Sequence, residues 1–141
     1  MHAKSFLDTN VLVYAAAGRG PEERKRQRAL SLIDQEDIGI SAQVLQEFYV
    51  TVTRKIESAM SSEQALNWIE QFESFPCVTL DSSLVKVAAE VSESFRISYW
   101  DGAIVYAAQI LRADTLYTED LNDGQQYGSV RVVNPFLEEK V

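Results

Sequence analysis

Apolar residues in this chain occur in two rhythms. Short continuous runs alternate with longer stretches in which they recur at helical spacing. The first run, Ser5-Phe6-Leu7, meets Asp8, Thr9 and Asn10 and turns apolar again through Val11, Leu12, Val13 and Tyr14. A short apolar run followed by three turn and cap formers predicts a buried strand handing over to a helix over 10–17, with Thr9 or Asn10 as its cap. Gly18 and Gly20 end that helix, and Pro21-Glu22-Glu23 opens a second one reaching about Gln35. Proline suits a first helical turn, and acids suit the positive helix terminus. Residues 38–41 predict the second strand. A helix over 43–57 follows, with Leu45, Phe48, Tyr49, Val52 and Ile56 as its core-facing stripe. Ser61-Ser62-Glu63 opens the next helix, and 76–80 predict a third strand. Asp81 or Ser82 caps a helix bearing Leu84, Val87, Ala88, Val91 and Phe95. Ser98-Tyr99-Trp100-Asp101 leads into another, with Ala103, Ile104, Ala107, Ala108 and Leu111 on its apolar face. Residues 115–118 predict a fourth strand, 119–124 a polar loop, and 130–133 a fifth strand at an edge.

Short strands alternating with helices predict an α/β fold in three layers, with a central, mostly parallel five-stranded sheet covered on both faces. The chain has 141 residues, 46% of them hydrophobic, enough for one domain over 1–141 with a real core. No repeat, low-complexity segment or linker interrupts it.

Within this pattern four acids stand out. Asp8 ends the first strand and Asp120 lies just past the fourth. Parallel strands share one carboxyl edge, where open α/β sheets bind ligands, so these two meet if strands one and four are neighbours. Asp101 begins one helix and Glu47 lies early in another, so both can start near the same edge. Taken singly, each has an ordinary reading: Asp8 as a turn or cap residue, Asp101 as an N-cap or first-turn acid, Asp120 as a turn residue, Glu47 as a solvated flank charge. Taken together they repel, and a divalent cation removes the conflict. Magnesium and manganese favour oxygen ligands and pair with phosphate chemistry.

Composition narrows the chemistry. The net charge of −8 disfavours broad electrostatic coating of nucleic acid, although bound cations would invert the local charge. The lone histidine, His2, sits at the terminus, so a Ser-His-Asp triad or a histidine-rich metal site has no residue to use. A single cysteine, Cys77, excludes an internal disulfide and reads as a small buried hydrophobe. No apolar run approaches ~20 residues and no signal-peptide pattern opens the chain, so a cytoplasmic protein is expected. Trp68, Phe72 and Phe75 read as core or dimer surface, and Tyr14, Tyr49 and Tyr106 as core. The basic run from Arg19 to Arg28 has two readings: a solvated helix face, or a phosphate-contacting edge beside the acids.

The segments bearing the acids also resemble a known family. Phe6-Leu7-Asp8-Thr9-Asn10-Val11-Leu12-Val13-Tyr14 resembles the opening motif of PIN domains. Gln46-Glu47-Phe48-Tyr49, Tyr99-Trp100-Asp101-Gly102-Ala103-Ile104 and Leu116-Tyr117-Thr118-Glu119-Asp120-Leu121 resemble the second, third and fourth motifs, in the family's order. Asn134-Pro135-Phe136 resembles a common ending of the VapC toxin branch. The resemblance implies a Rossmann-like PIN domain and an Mg2+- or Mn2+-dependent endoribonuclease that cleaves RNA with metal-activated water; in-line attack by that water with the 3′ oxygen leaving predicts 5′-phosphate and 3′-hydroxyl ends. It implies the toxin of a type II toxin–antitoxin pair, commonly a homodimer, with a VapB-like antitoxin that inserts a segment at the acidic cleft. Carried over by motif, Asp8, Glu47, Asp101 and Asp120 form the catalytic acidic cluster. Asp8 and Asp101 are direct metal ligands, Asp120 binds directly or through water, and Glu47 orients water or completes the shell. Asn10 and Thr118 steady those acids, and Asp123 is the fallback if the loop turns differently. Gly102 stands where many relatives carry another small residue.

Three rivals remain: a solitary PIN nuclease, an RNA-binding module without catalysis, and haloacid-dehalogenase-like phosphotransfer. The last needs a second Asp two residues after the first, and Asn10 stands there.

Overall fold

A computed structural model describes residues 1–137; residues 138–141 of the expected domain lie outside the described residues. In chain order it contains β1 (Ser5–Leu7), α1 (Thr9–Ala17), α2 (Glu23–Ile33), β2 (Ile38–Ser41), α3 (Ala42–Val50), α4 (Ser62–Phe72), β3 (Cys77–Val78), α5 (Ser82–Phe95), α6 (Tyr99–Ile110), β4 (Thr115–Tyr117), β5 (Gln126–Tyr127) and β6 (Val130–Val133). The strands form one sheet in the order β3-β2-β1-β4-β6-β5, parallel throughout except for β5.

β1 pairs with β2 on one side and β4 on the other, with Leu7 opposite Tyr117. Connections from β1 to β2 to β3 travel one way across the sheet, and the connection from β3 to β4 travels back. Right-handed crossovers in opposite directions place their helices on opposite faces. The gap between β1 and β4, where the direction reverses, is the topological switch point of the sheet. Phe6, Leu7, Leu12, Ile40, Phe48, Leu111 and Leu116 fill the core and are fully buried.

The expected five-stranded sheet has six strands. Gly124 and Gly128, both at positive φ, fold Gln126-Tyr127 back antiparallel onto β6. A two-residue strand has no periodicity to read, so this hairpin is invisible in the apolar pattern. It displaces β6 from the edge; Val130 and Val132, on the face opposite exposed Arg131, are fully buried. The third strand is likewise two residues rather than the five of 76–80.

The helix expected over 43–57 stops at Val50 and continues as a π-helical turn, Thr51–Lys55. The Thr53 hydroxyl donates to the Tyr49 carbonyl at 2.7 Å, a back-bond of the kind that bends helices. The cap of α1 is neither Thr9 nor Asn10 but Asp8, whose side chain accepts from the Thr9 N–H. Other caps match expectation: Ser61 and Gln64 form a reciprocal capping box, and Asp81 caps α5.

In the basic run, Arg19, Arg24 and Arg28 stay exposed, as a solvated helix face does, and Arg24 and Arg28 also bond the closing segment. Arg24 donates to the Phe136 carbonyl at 2.7 Å and Arg28 to the Pro135 carbonyl at 3.2 Å, while Arg26 pairs with Glu23. Arg24 and Arg28 thus grip the closing segment, whose Phe136 ring packs edge-on against Tyr14 at 4.9 Å. Phe72 is buried beside Trp68, and Cys77 is half-buried rather than enclosed. No helix among the described residues is long and apolar enough to cross a membrane.

Candidate active site

Asp8 follows β1 directly, and its backbone N–H donates to the Tyr117 carbonyl, extending the β1–β4 pairing by one step. Its carboxylate is therefore fixed at the carboxyl edge of the switch point, buried to 5% exposure. Oδ1 accepts from the Thr9 N–H at 2.7 Å and Oδ2 from the Thr118 hydroxyl at 2.8 Å. Thr118 is fully buried and hangs on β6 through the Val133 carbonyl.

The Thr118 oxygen also accepts from Asn10 Nδ2 at 3.2 Å and from the Asp120 N–H at 3.1 Å. Asn10 Nδ2 reaches Asp120 Oδ2 at 3.1 Å. Asp8, Thr118, Asn10 and Asp120 thus form one connected network across β1, α1 and the loop after β4. Burial is the main reason that the Asp8 carboxyl is pushed up to about 7. The Thr118 and Thr9 hydrogen bonds pull it down, and the charges of Asp120 and Glu47 push it up further.

Asp101 occupies the first turn of α6, whose cap is Ser98: the Asp101 N–H donates to Ser98 Oγ at 3.0 Å. Burial raises its carboxyl above the usual range, the Ser98 bond opposes that, and Asp120 adds to it. Gly102, next in sequence, lets α6 touch α5; a Cβ there would stand 2.8 Å from the Ser92 Cβ and 2.9 Å from the Ala88 carbonyl. Glu47 is held on α3 by Gln43, whose Nε2 donates to Glu47 Oε1 at 2.8 Å and to the Trp100 carbonyl at 3.3 Å. Gln43 thereby ties the Glu47 carboxylate to the turn that opens with Asp101. It has no place in the sequence reading, though its position four residues before Glu47 on a helix was an available signal. Asp123, the fallback, accepts from the Asn134 N–H and serves the loop instead.

A cleft of about 610 Å3 opens over Asn10, Glu47 and Asp120 and runs along α1 past Tyr14 to Arg19. Among the described residues no three acidic, histidine or cysteine side chains stand close enough to enclose a metal by themselves. The donor set nevertheless fits a hydrated hard cation, which keeps several waters and binds through a few carboxylates. Its groups are all oxygen, none of the four acids has an ion-pair partner among the described residues, and Asp8 lies buried beside like charges. The Asn10 Oδ1 atom is also buried without a hydrogen-bond partner.

Fold and site together define an α/β protein with an acidic, oxygen-donor cleft at the switch point of its sheet. The PIN domain family model matches residues 5–123, and the chain belongs to the PIN-domain family. The match spans all four acids. No curated protein sequence is significantly similar. Among solved structures, a chain of a toxin–antitoxin complex from Klebsiella pneumoniae is 18% identical with a TM-score of 0.68, covering 94% of this chain and 98% of that one. A chain of DNA-bound VapBC from Salmonella typhimurium is 18% identical, TM-score 0.62, covering 92% and 96%. A Mycobacterium tuberculosis VapC described as a sarcin–ricin loop cleaving toxin is 14% identical, TM-score 0.59, covering 82% and 89%. At these identities the likeness is one of fold.

Proposed function

We propose that this chain is an Mg2+- or Mn2+-dependent endoribonuclease, the toxin of a type II toxin–antitoxin pair. Asp8, Asp101 and Asp120 hold the cation and Glu47 is the fourth catalytic acid. The observation that supports it is that carboxylates from four distant segments act on one another, Asp120 and Glu47 on Asp8 and Asp120 on Asp101, with no cationic partner among the described residues. Structural acids seldom gather so, because each raises the cost of ionising the next.

A bound divalent cation would neutralise the cluster and supply the activated water for attack at phosphorus. The chain's own contribution is placement. Thr118 and the Thr9 N–H orient the Asp8 carboxylate, Asn10 orients that of Asp120, and Gln43 that of Glu47. Arg19, the only cation lining the cleft among the described residues, is the group available there to a phosphate of the strand.

Purified protein incubated with a mixed RNA pool in Mg2+, Mn2+ or EDTA, beside Asp101→Asn, tests the reading. Metal-dependent cuts bearing 5′-phosphates and lost in the variant are expected. Products ending in 2′,3′-cyclic phosphate, or undiminished cleavage in EDTA, would contradict it.

The antitoxin is part of the proposal, supported by the fold's likeness to chains solved in toxin–antitoxin complexes. Its inhibitory segment would enter the cleft with an arginine toward the carboxylates. A harmless chain on expression alone, with no small neighbouring reading frame, would point to a solitary nuclease. A homodimer is also proposed, and the exposed apolar Leu80, Val85, Phe95 and Trp100 supply surface for it. Light scattering checks it.

A further inference from the structure

The loop after β4 bears Asp120, whose own N–H is held by the Thr118 hydroxyl at 3.1 Å but whose loop makes few bonds between backbone groups. Hydrogen bonds between backbone groups tie Thr118 to Val133 and Gly124 to Val132, and among the described residues none is made by 119–121 between those anchors. The place of Asp120 is therefore set by side chains. Asn10 holds its carboxylate from one side. The preceding residue, Glu119, is held from the other.

Glu119 accepts from the Tyr14 hydroxyl and, at 2.9 Å, from Lys25 Nζ. Lys25 also donates to the Tyr14 hydroxyl at 3.1 Å, which closes a three-membered ring of contacts between α1, α2 and the loop. The ammonium lies 4.8 Å from the centroid of the Tyr14 ring and 5.8 Å from that of Phe136. Both charged side chains are largely shielded, at 32% and 23% exposure, so this pair is less screened than one on an open surface. Lys25 makes no ion pair with the four cluster acids; it pairs instead with Glu119, the residue before Asp120.

We propose that Lys25 is a positioning residue for the acidic cleft: through Glu119 it fixes the Asp120 carboxylate where, on the nuclease reading above, the divalent cation binds. Removing a direct partner of a metal ligand typically weakens metal affinity about 10- to 100-fold, and Lys25, which acts one residue further out, belongs at the lower end of about tenfold.

The test uses the full chain with Lys25→Met, which keeps an aliphatic stem over Tyr14 and Phe136, together with Glu119→Gln and the double variant. Mn2+ affinity is read by electron paramagnetic resonance without RNA, and kcat and KM are read on a cleaved RNA. A folded Lys25→Met protein is expected to bind Mn2+ about tenfold more weakly, to lose kcat with KM unchanged, and to be no further impaired in the double variant. If Lys25→Met fails to fold, Glu119→Gln, isosteric with the native side chain, reads the same effects. Wild-type Mn2+ affinity in a folded variant would reduce Lys25 to a fastener of α2 and overturn the inference. A raised KM at unchanged Mn2+ affinity would make it an RNA contact, and also overturns it. A wild-type protein that neither binds Mn2+ nor cuts RNA would overturn the nuclease reading itself, and the inference with it.

Discussion

Replacing Asp8 by Asn in the metal-free protein turns the cost of the acidic site into a measurable slope. The Asp8 carboxyl moves from 3.8 to about 7 on folding, chiefly because it is buried. At roughly 1.4 kcal/mol per pKa unit this is worth about 4 kcal/mol. The folded carboxyl keeps its proton to higher pH than the unfolded one. The stability it contributes is thus complete below about pH 4 and is lost as pH rises through about 7. Roughly 3 kcal/mol of that loss falls between about pH 5 and pH 8. At about 3 °C per kcal/mol for a chain of this size, the apo wild type should lose about 8 °C in Tm across that range from this group. The Asp8→Asn protein has no such carboxyl. It also turns an amide donor toward groups that now donate to Asp8, an offset of either sign but independent of pH. The quantity to follow is the Tm difference between the two proteins, measured by circular dichroism in EDTA from pH 5 to 8. It should shift by about 8 °C in favour of the variant as pH rises. Mg2+ added at pH 8 should raise the wild-type Tm and leave the variant nearly unmoved. Parallel curves in EDTA would refute the claim that Asp8 is charged against its surroundings.

Three further outcomes are expected. Thr118→Val removes the hydroxyl shared by Asp8, Asn10 and the Asp120 N–H; unsatisfied buried partners should cost about 2–3 kcal/mol in urea unfolding and abolish cleavage. Gly102→Ala presses a methyl onto Ser92 and the Ala88 carbonyl; overpacking of about 1–3 kcal/mol, offset by about 1 kcal/mol of helix propensity, should lower stability and shift Asp101, seen as weaker Mn2+ binding. An unchanged Tm and affinity would show that α5 simply moves aside. Gln43→Leu frees the Glu47 carboxylate and should cut kcat about tenfold with little change in Tm, whereas full activity would show that Glu47 needs no orientation.

Much of this protein is set by local pattern. The apolar runs located β1, β2 and β4, because a buried strand needs consecutive or alternating apolar residues whatever surrounds it. The helix starts at Ser61 and Asp81 were visible because a cap bonds within three residues of itself. The four acids were legible as strand-end and helix-start residues, and the family motifs that hold them run in order along the chain. What tertiary structure alone decided involves partners far apart in sequence. The adjacency of β1 and β4 turned a possible meeting of Asp8 and Asp120 into a hydrogen-bonded network. The β5 hairpin is too short for any period, and the arginines of α2 read as surface charge until the chain's end folded under them. Lys25 and Glu119 stand 94 positions apart. The Asp8 pKa is likewise no property of the residue. Periodicity and capping are local and survive in the sequence, whereas charge burial and long-range hydrogen bonds exist only once the sheet has brought distant segments together.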